Sequence, residues 1–158
     1  MTLLSLDVAL GSAERVLIDS STIIAFHEQL ELAHPLAVHT LERIADEYDA
    51  LRGYCSVISV SELLIRPIRT SRQAYAYMHD FLTTYPNLTI LPVDLAVSLE
   101  AATLRSATGS RLPDALIVAT GLLAGCEVII TNDARWKARF APLFPQFGWL
   151  YLGDHLTI

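Results

Sequence analysis

Short apolar segments alternate along the chain with longer segments that carry helical periodicity or helix-capping residues. The apolar segments predict buried strands at 15–18, 54–59, 88–93 and 127–131, with a last strand near the C terminus at 147–152. The segments between them predict helices at 22–29, 37–52, 61–65, 71–85, 95–108 and 113–126. Strands and helices that alternate in this way pair their strands in parallel and place helices on both faces of the sheet. The sequence therefore predicts an α/β fold with a central parallel sheet.

Serine residues are candidate N-caps for two of these helices. Ser20 or Ser21 is expected to cap the helix that follows the first strand. Ser59 or Ser61 is expected to begin the helix that follows the second strand, which would place Glu62 in its first turn. Both helices would then start at the edge of the sheet where their strands end.

Acidic residues occur at four points along this same predicted edge. Asp19 and Asp133 follow two of the strands, and Glu62 and Asp114 lie in predicted first turns of helices. Because ligands of open parallel sheets bind beyond the carboxyl ends of the strands, the four carboxylates are expected to meet in one cleft. Carboxylates brought together repel one another, whereas hard divalent cations with oxygen ligands stabilise such a cluster. The pattern predicts a site for one or two divalent cations.

A simpler interpretation exists for each acid taken alone. Asp and Glu are favourable at helix N-termini and as caps, and all four occupy predicted positions of that kind. The four together favour a site, because they share one predicted edge and are embedded in apolar segments where ionised side chains are costly without partners.

The overall charge disfavours one class of function. The formal net charge of −6 argues against broad, nonspecific wrapping of nucleic acid, which needs clustered Lys and Arg. It does not exclude a nuclease, because bound divalent cations reverse the local charge of an acidic cluster.

The two cysteines and the hydropathy of the chain bear on its environment. Cys55 and Cys126 lie far apart in apolar surroundings and form no zinc-ligand pattern, so they are expected to be buried free thiols. No window has the length and apolar character of a membrane span, and the N terminus has no secretory signal pattern. The protein is expected to be soluble and cytoplasmic.

At its acidic residues the chain resembles the PIN-domain family, and in particular the VapC toxin ribonucleases of bacterial and archaeal toxin-antitoxin modules. Four blocks around the acids carry the resemblance: VLIDSSTIIAF, SVSELL, LPDALIVATGLLAGC and VIITND. The match spans a domain at 15–152, which leaves a lead-in at 1–14 and a tail at 153–158. One departure is Gly121, where the family more often has alanine.

The resemblance implies a three-layer α/β/α fold, Mg2+ or Mn2+ as cofactor, and cleavage of RNA phosphodiester bonds. The family's acidic positions correspond to Asp19, Glu62, Asp114 and Asp133, all expected to be catalytic and to hold metal. Ser20 and Thr131 occupy positions that commonly carry a hydroxyl, which could support a carboxylate or a metal water. The high apolar content of so small a chain, 53%, favours two protein partners: a second copy of the chain, or an antitoxin segment that lies in a groove.

Arginines are the candidates for holding the RNA backbone, since their guanidinium groups match phosphate in a bidentate manner. The residues concerned are Arg66, Arg69, Arg72, Arg105 and Arg111, and ordinary solvated surface is an equal alternative for them. Two other functions stay open at this stage. One is a noncatalytic PIN-like module that binds a partner protein, and the other is a nuclease with the same site that processes RNA or acts on DNA.

Overall fold

A five-stranded parallel sheet forms the centre of the protein in the computed structural model, which describes residues 3–156. Its strands lie in the order β3-β2-β1-β4-β5, and every neighbouring pair is parallel. Their bounds are β1 (Arg15–Ile18), β2 (Arg52–Ser56), β3 (Leu88–Leu91), β4 (Val128–Thr131) and β5 (Gly148–Tyr151). The predicted parallel sheet is thereby confirmed.

Helices precede, connect and follow these strands. They are α1 (Leu3–Leu10), α2 (Ser20–His27), α3 (His34–Ala45), α4 (Val57–Thr70), α5 (Arg72–Thr84), α6 (Leu95–Thr108), α7 (Leu112–Leu123) and α8 (Ala134–Phe140), with a 3-10 helix at Leu152–His155. Side chains that alternate along β1 divide the core into two parts. Val16 and Ile18 pack with residues of α1 to α5, whereas Leu17 packs on the opposite face with residues of α6, α7 and α8. The predicted three-layer α/β/α architecture is confirmed.

The strand order reverses direction between β1 and β4. The chain runs outward from β1 through β2 to β3, then returns to β4 on the other side of β1. At such a reversal the connecting helices leave to opposite faces and a crevice opens at the carboxyl ends of the two strands. Asp19 follows β1 directly and Thr131 is the last residue of β4, so both lie at this crevice.

The predictions for the helix starts were wrong in detail. Asp19 itself caps α2, with its carboxylate accepting from the Thr22 amide, rather than Ser20 or Ser21. The cap of α4 is Ser56, because β2 ends there instead of continuing to residue 59. Glu62 therefore lies in the second turn of α4 rather than the first.

Two helices were not expected, and one ends earlier than expected. The lead-in contains α1, whose Leu6 is fully buried in the core, and α8 follows Asp133. Helix α3 spans His34–Ala45, not 37–52, so Tyr48 lies beyond it with 90% of its surface exposed. The apolar spacing that continued to Tyr48 was accidental, because this residue contributes nothing to the core.

The expectation for the cysteines is confirmed. Cys55 and Cys126 are both buried and unbonded. Burial raises the pKa of each thiol to about 12, so both remain protonated and unreactive at neutral pH.

The glycine at position 121 has a structural explanation. A Cβ built on Gly121 in α7 would lie 2.7 Å from Leu17 Cδ2 and 3.1 Å from Leu17 Cβ, and Leu17 is fully buried in β1. We expect Gly121→Ala to lower the free energy of unfolding by about 1–2 kcal/mol, since overpacking costs more than the roughly 1 kcal/mol that Ala gains in helix propensity. Urea denaturation measures this effect.

A compensating variant serves as its control. Leu17→Val removes the crowding Cδ atoms, so Gly121→Ala should be less harmful in that background than in the native one. Equal or greater stability of the single Gly121→Ala variant would show that α7 can move away from the sheet at no cost.

Candidate functional site

Asp19 is the most enclosed acid of the crevice, with only 3% of its surface exposed. Its Oδ1 accepts from the Thr22 amide at 3.0 Å and its Oδ2 accepts from the Thr131 hydroxyl at 2.8 Å, while the Ser21 hydroxyl lies 2.8 Å from both oxygens. Burial raises the pKa of Asp19, although these hydrogen bonds oppose the shift. The carboxylate is thus fixed in position but carries an uncompensated charge when ionised.

Hydrogen bonds join the ends of β1 and β4. The Asn132 amide donates to Ser21 Oγ at 2.8 Å, and the Asp133 amide donates to Thr131 Oγ1 at 3.0 Å. Since Thr131 also donates to Asp19, one hydroxyl connects a carboxylate on β1 to the backbone that positions a second acid beyond β4. Ser21 was considered in the sequence only as a cap, so its part in this network was missed.

Glu62 approaches the crevice from α4. The Ser20 hydroxyl donates to Glu62 Oε2 at 2.6 Å. The charges of Asp19 and Glu62 both act on the buried Cys55 thiol, on which they add to the effect of burial in raising its pKa. The Ser20 hydroxyl thus joins Glu62 to the residue that follows Asp19, although no hydrogen bond joins the two acids directly.

Asp114 reaches the site from the first turn of α7 and is half-buried. Burial raises its pKa, and the negative charge of Asp133 raises it further. Positive charges lower this pKa again, and they belong to Arg111, Arg139 and Arg135. The charge of Asp133 thus acts on Asp114, the acid of α7.

Asp133 forms a close ion pair with a neighbouring arginine. The Arg135 Nη2 lies 2.5 Å from Asp133 Oδ2, and the Arg135 Nε lies 2.9 Å from Oδ1. The Arg135 guanidinium therefore holds the pKa of Asp133 below its usual value. This pairing was not anticipated, because the sequence analysis left the segment after Asp133 without a helix.

The four predicted acids do not form a coordination sphere in the part of the chain that the structure describes. Within residues 3–156, no three His, Cys, Asp or Glu side chains converge in the manner of a metal site. Three of the four acids have another partner instead: hydroxyls for Asp19, Ser20 for Glu62 and Arg135 for Asp133. Their chemistry nevertheless suits a cation, because carboxylate oxygens are the hard donors that Mg2+ and Mn2+ prefer. Burial raises the pKa values of Asp19 and Asp114.

The predicted arginines are distributed over the surface. Arg66 pairs with Glu28 at 2.6 Å on the α2–α4 side, and Arg105 donates to the Ser110 carbonyl at 3.3 Å. Arg111 immediately precedes α7, and its positive charge lowers the pKa of Asp114. The exposed arginines Arg69 and Arg72 lie at the junction of α4 and α5. Those nearest the acids include Arg135 and Arg139 of α8, which the sequence analysis did not consider.

Comparison with known proteins agrees with this architecture. A family model described as the PIN domain matches residues 16–140. The chain belongs to the PIN-domain family. The predicted membership is thereby confirmed, and α1 lies outside the matched range.

Solved structures with this fold include several toxin-antitoxin proteins. A toxin-antitoxin complex from Klebsiella pneumoniae is 20% identical, with a TM-score of 0.65 over 87% of this chain and 97% of the other. VapBC-1 from nontypeable Haemophilus influenzae is 17% identical, with a TM-score of 0.62 over 88% and 98%. VapC20 from Mycobacterium tuberculosis, described as a sarcin-ricin loop cleaving toxin, is 16% identical, with a TM-score of 0.60 over 78% and 93%. At these identities the likeness concerns the PIN fold.

A search of curated proteins found no significant match to this chain. In the part of the chain between residues 3 and 156, no helix has the length and apolar character needed to cross a membrane.

Proposed function

We propose that this PIN-domain protein is a divalent-metal-dependent endoribonuclease and the toxin of a type II toxin-antitoxin module. The observation that carries the proposal is the buried Asp19, held by hydroxyls from both β1 and β4 ends at the point where the strand order reverses. Burying a carboxylate there costs free energy that a structural cap does not require. A cation bound between Asp19 and Asp114 would relieve that cost.

Asp19 and Asp114 are the central ligands in this proposal, with Glu62 and Asp133 completing the site. A bound Mg2+ or Mn2+ would lower the pKa of a water molecule and stabilise the negative charge that develops on the reacting phosphate. Thr131 and Ser21 keep the Asp19 carboxylate in one orientation, and Ser20 does the same for Glu62. Such supporting hydrogen bonds commonly govern both metal affinity and ligand geometry.

The substrate and partners follow from what similar folds are described as doing. VapC20 is described as a sarcin-ricin loop cleaving toxin, and the Klebsiella structure is described as a toxin-antitoxin complex. We accordingly propose RNA as substrate, an antitoxin protein and a second copy of the chain as partners, and the cytoplasm as location. Among the predicted RNA-binding arginines, Arg111 is placed beside the first turn of α7, and its positive charge acts on Asp114.

The test is RNA cleavage by the purified protein with Mg2+, with Mn2+, with EDTA, and with metal restored after EDTA. We expect cleavage with either metal, loss of it in EDTA and recovery on restoring metal, because the carboxylates alone supply neither the charge nor the activated water. A DNA oligonucleotide of the same sequence distinguishes a ribonuclease from a DNA-acting enzyme. No cleavage together with no Mn2+ binding by calorimetry would identify the protein as a noncatalytic interaction module.

A further inference from the structure

The Arg135 guanidinium binds the carboxylate of Asp133, which is one of the proposed metal ligands. Asp133 Oδ1 accepts from the Arg135 amide and from Nε, each at 2.9 Å, and Oδ2 accepts from Nε at 3.1 Å and from Nη2 at 2.5 Å. Both carboxylate oxygens are therefore directed at one guanidinium. A divalent cation that bound Asp133 would compete for the same lone pairs.

A cleft of about 500 Å³ adjoins this ion pair. It lies between the last turn of α6 and helix α8, and its lining includes Thr108, Arg135, Arg139 and Leu143. Within residues 3–156, Arg139 forms no salt bridge with a carboxylate. Its positive charge nevertheless lowers the pKa of both Asp114 and Asp133. The cleft thus presents an unpaired guanidinium close to the acidic site.

We propose that Arg135 is an internal counter-ion for Asp133, and that exchange for a divalent cation releases its guanidinium to bind a nucleic-acid phosphate in the cleft it shares with Arg139. This inference rests on the proposed metal-dependent nuclease. It makes Arg135 a positioning residue with two alternative partners: Asp133 without metal, and substrate phosphate with metal.

Two physical arguments support the exchange. The Arg135 side chain is 73% exposed, and an ion pair in that environment is weak enough to be broken by a competing cation. Once released, a guanidinium finds its strongest available partner in a phosphate, to which it can donate two parallel hydrogen bonds. The presence of Arg139 in the same cleft gives the released group a second positive charge beside it, which only an anion would compensate.

The first measurement is calorimetric titration of the full chain with Mn2+. Because Arg135→Gln removes the competitor, we expect it to tighten Mn2+ binding about twofold to fivefold, which lies within the range for an exposed ion pair. Arg139→Gln is the matched control, since it removes the same charge from α8 without touching Asp133. In an Asp133→Asn background, Arg135→Gln should leave the Mn2+ affinity unchanged.

The second measurement is equilibrium binding of a short, phosphorothioate-linked RNA with and without Mn2+. Arg135→Gln should weaken binding with Mn2+ present and have little effect in EDTA, whereas Arg139→Gln should weaken it in both conditions. Each lost phosphate contact should reduce the salt-dependence slope by about 0.7.

Four results would overturn the inference. Equal tightening of Mn2+ binding by the two arginine variants would reveal a general charge effect, and persistence of the Arg135→Gln effect without Asp133 would remove the proposed partner. Unchanged Mn2+ affinity in Arg135→Gln would refute the exchange while leaving the nuclease proposal intact. A native protein that binds no Mn2+ would overturn both proposals together.

Discussion

Asp114→Asn is expected to reduce metal-dependent RNA cleavage at least about a hundredfold while the protein remains folded. The substitution keeps the shape of the side chain but removes the charge that would hold the cation. Loss of an outer partner of a metal ligand already costs about 10- to 100-fold, so loss of a central ligand should cost at least as much. Initial rates on one defined RNA, with saturating Mn2+, measure the effect.

The matched control for Asp114→Asn is Asp94→Asn. Asp94 is an exposed N-cap of α6 whose carboxylate accepts from the Val97 amide at 2.9 Å, and asparagine caps helices equally well. This variant should cleave RNA at the native rate. Full activity in Asp114→Asn, with Mn2+ binding retained, would place the cation elsewhere and remove Asp114 from the site.

Asp19→Asn is expected to have opposite effects on activity and on stability. Cleavage should fall at least about a hundredfold, as for Asp114, because Asp19 is the other central ligand. In EDTA, the free energy of unfolding at pH 7 should rise by on the order of 1 kcal/mol, since burial penalises the charged form of this side chain. Asparagine can still accept from the Thr22 amide, and the hydroxyls of Ser21 and Thr131 can turn to accept from its amide group.

The pH dependence follows from the sign of the Asp19 shift. Its pKa in the folded protein is raised above the ordinary value of 3.8, so the folded state binds this proton more tightly than the unfolded state. The native protein therefore loses stability as pH rises through the folded pKa. The advantage of Asp19→Asn in EDTA should be full above that pKa and disappear as pH falls towards 3.8.

Saturating Mn2+ should reverse this order of stability. Binding to the native protein adds stability in proportion to the logarithm of the cation concentration over its dissociation constant, whereas the variant gains little. Thermal unfolding of both proteins, with EDTA and with Mn2+, provides the comparison. A native protein that remains less stable than Asp19→Asn at high Mn2+ would contradict the assignment of Asp19 as a ligand.

Local sequence determined the framework on which the site is built. The strand before Asp19 and the strand before Asp133 were predicted from short apolar segments, and Asp114 was predicted in the first turn of its helix. These features depend on burial and on capping, which act between residues close together in the chain. Right-handed connections then bring the carboxyl ends of the strands to one edge.

Only the tertiary structure decided which hydrogen-bond partners the acids have. Thr131 lies 112 positions from Asp19 along the chain, and the hydrogen bond between them exists because β1 and β4 pair in one register. The helix start was likewise displaced to Ser56, since β2 ends where its pairing with β3 ends, and this moved Glu62 into the second turn.

The crowding at Gly121 and the Arg135–Asp133 pair arise from packing and side-chain geometry. Residue spacing along the chain carries no signal for either of them. The sequence thus determined the strands and helices that carry the acids, because strand and helix formation are local. The fold determined which partner each carboxylate has, because hydrogen bonds and ion pairs depend on distances that only packing sets.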